Sequence, residues 1–262
     1  MAEYCGLSNG LGRIIFGIMS ELLVVPATAS LVEAPLEDPR ASKRLRWFEL
    51  VLLLSIALGS YIFSSVFILV TGQYNAPSSQ AYQWGFSLFN EVTALLLLGY
   101  ILARRGLRFK NLGLRWSLSD LTAGVAICIG AYCAYVAGYF VVHTIHQAIF
   151  GLAHGAATST AMFGHPRLFG LPFFVVNPFF EELIVRAYLM TEIRALTGSA
   201  ALSVAVSVAF QTTYHLYYGW QGALSLGFMF LFFSVYYAIT RKATPLIVAH
   251  GAFDLISLFR LW

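Results

Sequence analysis

Apolar residues fill most of the chain in blocks about twenty long, separated by short polar stretches. Crossing a hydrocarbon core as an α-helix takes about 20 apolar residues. Six or seven blocks qualify: Trp47–Val70, Trp84–Ala103, Leu121–Val142, Leu168–Met190, Ala201–Tyr218, Gly222–Thr240 and the weaker Pro245–Trp262. The pattern predicts an all-α fold, a polytopic transmembrane helix bundle of about seven spans within a range of six to eight. Ahead of it, Leu11, Ile14, Ile15, Ile18, Met19, Leu22 and Leu23 recur at helical spacing until Pro26 interrupts. Arg13, Gly17, Ser20 and Glu21 fall elsewhere on that wheel. This predicts an amphipathic helix on the membrane surface. A signal peptide ending near Ala27-Thr28-Ala29 competes with it, against which Glu21 inside the apolar region counts. An eighth, re-entrant span also remains open. No repeat of 20 to 50 residues is visible. The chain thus divides into an interfacial segment (1–46), three spans with an outer loop (47–165) and a C-terminal bundle (166–262).

Composition agrees. Of 262 residues, 59% are apolar and 11% charged, against about 25% charged in soluble domains. Disorder, collagen-like repeats and a disulfide scaffold are excluded. Cys5, Cys128 and Cys133 form no CxxC pattern. The net charge of +4 does not indicate nucleic acid, because the basic residues sit in clusters between the apolar blocks. Arg40, Lys43, Arg44 and Arg46 precede the first span; Arg104, Arg105, Arg108, Lys110 and Arg115 follow the second; Arg194 follows the fourth; Arg241 and Lys242 follow the sixth. In a seven-span topology all fall on one side, which places the N-terminus in the cytoplasm. Short loops and small size favour a prokaryotic plasma membrane, with lipid as the surrounding partner.

A few ionisable groups lie well inside the blocks: Glu91, Glu181, Glu182, Arg186, His215, His250 and Asp254. Each charge near the bilayer centre costs ~2.5–3.5 kcal/mol, so Glu181, Glu182 and Arg186 together cost on the order of 8–10 kcal/mol unpaired. They require partners inside the bundle. Glu182 and Arg186, four apart, share a helix face and suit a supporting ion pair. Glu181, rotated about 100° from Glu182, is free for chemistry. His250 and Asp254 are also four apart. Glu181 and His215 each lie 17 residues from Gly198, so an antiparallel pair brings them to similar depth. Glu91, beside Asn90, reads as a helix–helix hydrogen-bonding group. His143, His146, His154 and His165 are assigned no role.

The run Glu181-Glu182-Leu-Ile-Val-Arg186 resembles the EExxxR motif of the CPBP family, the CAAX proteases and bacteriocin-processing enzymes also called Abi. His215 in Tyr214-His215-Leu216 resembles the family's FxxxH motif, and His250-Gly-Ala-Phe-Asp254 its HxxxN/D motif. The resemblance covers roughly Arg167 to Phe259. One position departs: Gln211 stands where FxxxH has Phe, which changes the lining beside the glutamate from apolar to hydrogen-bonding.

The resemblance implies an intramembrane glutamic endopeptidase without an essential metal, with Glu181, His215, His250 and Asp254 as catalytic residues. Glu181 would activate water, His215 orient it, and His250, held by Asp254, donate to the oxyanion. The substrate would be a membrane-associated peptide or protein, such as a CAAX-type or leader peptide. Three other readings stay open. Two histidines and a carboxylate are a legitimate zinc ligand set. A non-catalytic immunity protein or scaffold fits the family's looser associations. A proton-coupled transporter would use the same carboxylates, though no transporter-like repeat is present. Depth raises a difficulty. At 1.5 Å per residue, Glu181 lies ~25 Å from the turn at Gly198, while His250 lies only ~10 Å from Ala243. Their meeting requires the Gly198 turn to protrude into the cytoplasm, with Glu192 and Arg194 as helix ends in water. The Tyr214–Trp220 aromatic cluster would seal the opposite side.

Overall fold

A computed structural model describes residues 42–72, 80–150 and 170–260. All belong to one compact unit, Asp38–Trp262. The amphipathic helix expected before Pro26 lies outside the described residues, as do His154 and His165.

The described chain is helical, with short connections. Helix α1 spans Lys43–Thr71, α2 Gln80–Arg104 and α3 Leu118–Phe150. Helix α4 (Leu171–Glu181) continues through a π-helical segment, Glu182–Tyr188, into α5 (Leu189–Thr197). Helices α6 (Ala200–Tyr214), α7 (Gly219–Thr240) and α8 (Thr244–Arg260) complete the bundle. Within the described residues, each predicted span falls on this helical framework. Four segments are long and apolar enough to cross a membrane: Lys43–Thr71, Tyr82–Arg104, Leu118–Phe150 and Leu216–Thr240. Ala200–Tyr214 and Thr244–Leu258 are shorter apolar helices.

Caps fix several ends. Ser42 accepts from the Leu45 N–H at the start of α1, and Ser199 from the Leu202 N–H at the start of α6. Gly198 ends α5 at φ 76°, a left-handed conformation that glycine takes without steric cost.

Neighbouring helices close a ring: α1 packs on α2, α2 on α4, α4 on α8, α8 on α3, α3 on α7, α7 on α6, and α6 on α1. Helices α1 to α3 expose large apolar side chains along their length, including Phe63, Leu96, Ile129 and Ile149. A water-soluble bundle of this size does not carry so continuous an apolar exterior. The molecule is an integral membrane protein, and this surface meets lipid. The opposite environment surrounds residues 180–193, which are buried without interruption. Pro178 lies inside α4 just before the π segment. Proline removes a helical N–H, and π segments concentrate where a helix departs from regular bonding, frequently at functional sites.

The basic clusters gather at one end. Arg46 Nε meets Glu192 Oε2 at 2.9 Å, and Arg105 Nη1 meets Glu192 Oε1 at 2.9 Å. Arg104 and Arg105 both pair with Glu49. Arg241 Nη2 donates to Thr191 Oγ1 at 2.6 Å. The ends of α1, α2 and α7 therefore lie level with Thr191 and Glu192. Here the sequence expectation needs correction. Arg194 is exposed, but Glu192 is fully buried, its two oxygens taken by arginines from other helices. Only the final turn of α5 extends beyond this level.

The depth difficulty has a second answer. The segment around a short 3-10 turn, Phe109–Leu112, folds over the start of α8. Ala243 N–H donates to the Gly113 carbonyl at 3.1 Å, and Thr244 Oγ1 bonds both the N–H and the carbonyl of Arg115. A Cβ on Gly113, at φ 86°, would lie 2.0 Å from the Arg241 carbonyl oxygen. Ala243 and Thr244 are consequently buried. Helix α8 starts inside the bundle, and His250 gains depth.

Candidate active site

The π segment presents adjacent carboxylates to different neighbours. Glu182 Oε1 accepts from Arg186 Nη1 at 2.9 Å, both side chains being fully buried. The Arg186 guanidinium lies over the rings of Phe230 and Phe233, 5.6 and 5.2 Å from their centroids. These aromatic faces attract the cation electrostatically. Glu181 turns toward α6. Its Oε2 accepts from Gln211 Nε2 at 2.6 Å and from the Tyr214 hydroxyl at 2.8 Å.

His250 on α8 joins the two carboxylates. Its Nδ1 meets Glu182 Oε1 at 2.8 Å, while Nε2 lies 4.0 Å from Glu181 Oε2 and 3.8 Å from Asp254 Oδ1. This corrects the expectation that Asp254 holds His250. The fixing hydrogen bond comes from Glu182, on another helix. Asp254 is instead held by Asn177 of α4, whose Nδ2 donates to Oδ2 at 3.1 Å. Because Glu182 accepts, the proton of a neutral His250 sits on Nδ1, and Nε2 faces Glu181 and Asp254.

His215 caps the C-terminus of α6. Its Nδ1 lies 2.8 Å from the Gln211 carbonyl, which only accepts, so Nδ1 carries a proton and Nε2 is left for other partners. Its ring packs against Tyr214, Tyr217, Tyr218 and Phe230. It lies within electrostatic reach of Glu181 and His250.

All six residues singled out in the sequence therefore gather around the π segment. Two partners are not anticipated by the sequence there. Asn177 is a polar residue four before Glu181 in an apolar run, and that interruption is a legible signal. Tyr214 had been placed in a sealing aromatic cluster, yet its hydroxyl binds Glu181. Glu91, buried on α2, has an Oε2 with no partner among the described residues. The helix-bridging bond comes from its neighbour Asn90, whose Nδ2 donates to the Ala57 carbonyl at 3.1 Å. Among the described residues, no group of three or more His, Cys, Asp and Glu side chains is arranged to hold a metal ion. His143 pairs with Gln147 and stacks on Tyr139, away from this cluster.

Fold and site together define a membrane-embedded helix bundle with a buried carboxylate–histidine centre. Residues 163–256 match the family described as type II CAAX prenyl endopeptidase Rce1-like. That segment, which carries all three motifs, is thereby similar to the CAAX protease, or CPBP, family. The match supports, in general terms, a CAAX-type intramembrane protease. Comparison with curated proteins and with solved structures found no match.

Proposed function

We propose that the chain is an intramembrane endopeptidase in which Glu181 activates the hydrolytic water. The observation that carries this reading is the unequal use of the Glu181 carboxylate. Gln211 and Tyr214 both donate to Oε2, and no donor among the described residues engages Oε1. A carboxylate pinned through one oxygen presents the other in a fixed direction, as a general base requires.

In this scheme Glu181 takes a proton from water as its oxygen attacks the scissile carbonyl. His250, protonated on Nε2 and held by Glu182, donates to the developing oxyanion. His215 accepts through Nε2 and orients the water. Glu181 then returns its proton to the departing amine. Asp254, fixed by Asn177, lies 3.8 Å from His250 Nε2. Glu182 and Arg186 position the centre without touching the reacting atoms. The scheme uses no metal, and the zinc alternative is tested below. The family description points to a prenylated CAAX-type peptide as the substrate class. We place the N-terminus and the basic end in the cytoplasm, from the charge distribution.

The test is hydrolysis of a farnesylated CAAX peptide by purified protein. Glu181→Gln is expected to lower the rate by about 10²–10⁴-fold, with the melting temperature in detergent preserved. Retained turnover would remove Glu181 from its role.

A further inference from the structure

Position 211 is where this site departs from FxxxH. Gln211 is fully buried on α6, and its Nε2 reaches Glu181 Oε2 at 2.6 Å. A carboxylate accepts and does not donate, so the amide faces it through nitrogen. The carbonyl oxygen Oε1 is then directed elsewhere. It is buried and has no donor among the described residues. An amide oxygen removed from water without a partner is costly, and a phenylalanine in its place would carry no such cost. Gln211 Oε1 stands beside the proposed base as an acceptor without a donor among the described residues.

A peptide entering the bundle carries donors of the kind it lacks. Every non-proline residue brings a backbone N–H that loses water on entry and must find an acceptor. Glu181 is committed to the water, and Glu182 is held through Oε1 by Arg186 and His250, its Oε2 being the other acceptor there without a partner among the described residues. We propose that Gln211 reads the substrate backbone: Oε1 accepts one N–H of the bound peptide while Nε2 holds Glu181. The inference rests on the proposed role of Glu181 and adds a contact to it. A single planar amide then couples substrate register to the base, fixing how the scissile carbonyl stands relative to Glu181. Gln211 is thus a substrate-binding and positioning residue.

The test uses the purified full chain and a farnesylated CAAX peptide, its scissile bond identified from product masses. A series of the same peptide replaces each other backbone amide in turn by an ester, which removes the N–H and keeps the shape. In the wild type, one ester position is expected to raise KM by about tenfold with little change in kcat. In Gln211→Phe that same ester should cost under about twofold, because the acceptor is already gone. Gln211→Met, closer in length, provides the same comparison if the phenylalanine variant folds poorly. Equal ester penalties in wild type and variants at every position would overturn the proposal, leaving Oε1 a partner of water alone. Wild-type turnover no faster than that of Glu181→Gln would instead overturn the reading of Glu181, and this inference with it.

Discussion

At Glu192 both carboxylate oxygens are taken, one by Arg46 and one by Arg105, and Arg105 also pairs with Glu49. At Glu181, about three turns earlier on the same continuous helix, Gln211 and Tyr214 crowd onto one oxygen and leave the other. The first cluster draws on the ends of α1 and α2 and binds them to α5. The second draws on α4, α6 and α8 and retains more buried polar atoms with no partner among the described residues: Glu182 Oε2, Arg186 Nε and Nη2, and Gln211 Oε1. Among the first cluster's Arg46, Glu49, Arg105 and Glu192, Arg46 Nη2 alone is such an atom. Both clusters carry the desolvation cost of buried charge. Closing the network turns that cost into a fixed geometry. Leaving it open keeps groups available to a ligand.

The comparison can be broken by moving an effect from one cluster to the other. The largest effect is expected on rate, from Glu181→Gln, with the melting temperature unchanged. Next, Arg105→Ala should do the reverse. Removing one partner of a buried pair costs about 3–5 kcal/mol, so the melting temperature and yield fall, while the folded fraction keeps its specific activity. Inactivity of folded Arg105→Ala would make the closed cluster part of the chemistry. Glu182→Gln stands between the two. It weakens the hold on Arg186 and on His250 Nδ1, so melting temperature and rate should both decline, the rate by on the order of 10–100-fold as for lost orienting partners elsewhere. A fall in only one of the two would assign Glu182 to a single role. The smallest effect is expected at Lys242, which is exposed and bonds Asp120 at 2.8 Å. That hydrogen bond holds its ammonium above the usual lysine range and so charged at neutral pH. Asp120 is buried but keeps the Ser117 hydroxyl, and its pair has one exposed partner. Lys242→Met should therefore lower the melting temperature only slightly and leave the rate unchanged in parallel assays.

The hydropathy blocks made the long helices legible, because a membrane span needs length and apolar character and little else; α5, mostly beyond the block that ends at Met190, was not marked by them. The motif spacings likewise identified the residues that gather around the π segment. What escaped were choices made in three dimensions. The i,i+4 spacing puts Asp254 on the face of His250, but Glu182 lies closer, and nothing local to α8 announces it. Glu192 beside a turn reads as solvated until Arg46 and Arg105 arrive from other helices. Tyr214 among Tyr217, Tyr218 and Trp220 reads as belt aromatic, and only the approach of α4 turns its hydroxyl into a ligand of Glu181. The π segment is invisible because apolar residues surround it on every side, leaving no period to measure.

The central claim is that a glutamate, with no metal, activates water in the open cluster. It is tested most directly by farnesylated CAAX peptide hydrolysis with chelator-treated, purified wild type beside Glu181→Gln at matched folded concentration. The account predicts that chelator leaves the wild-type rate unchanged, while Glu181→Gln is slower by at least about hundredfold. Loss of wild-type activity on chelation, restored stoichiometrically by zinc, would contradict it and make His215 and His250 metal ligands.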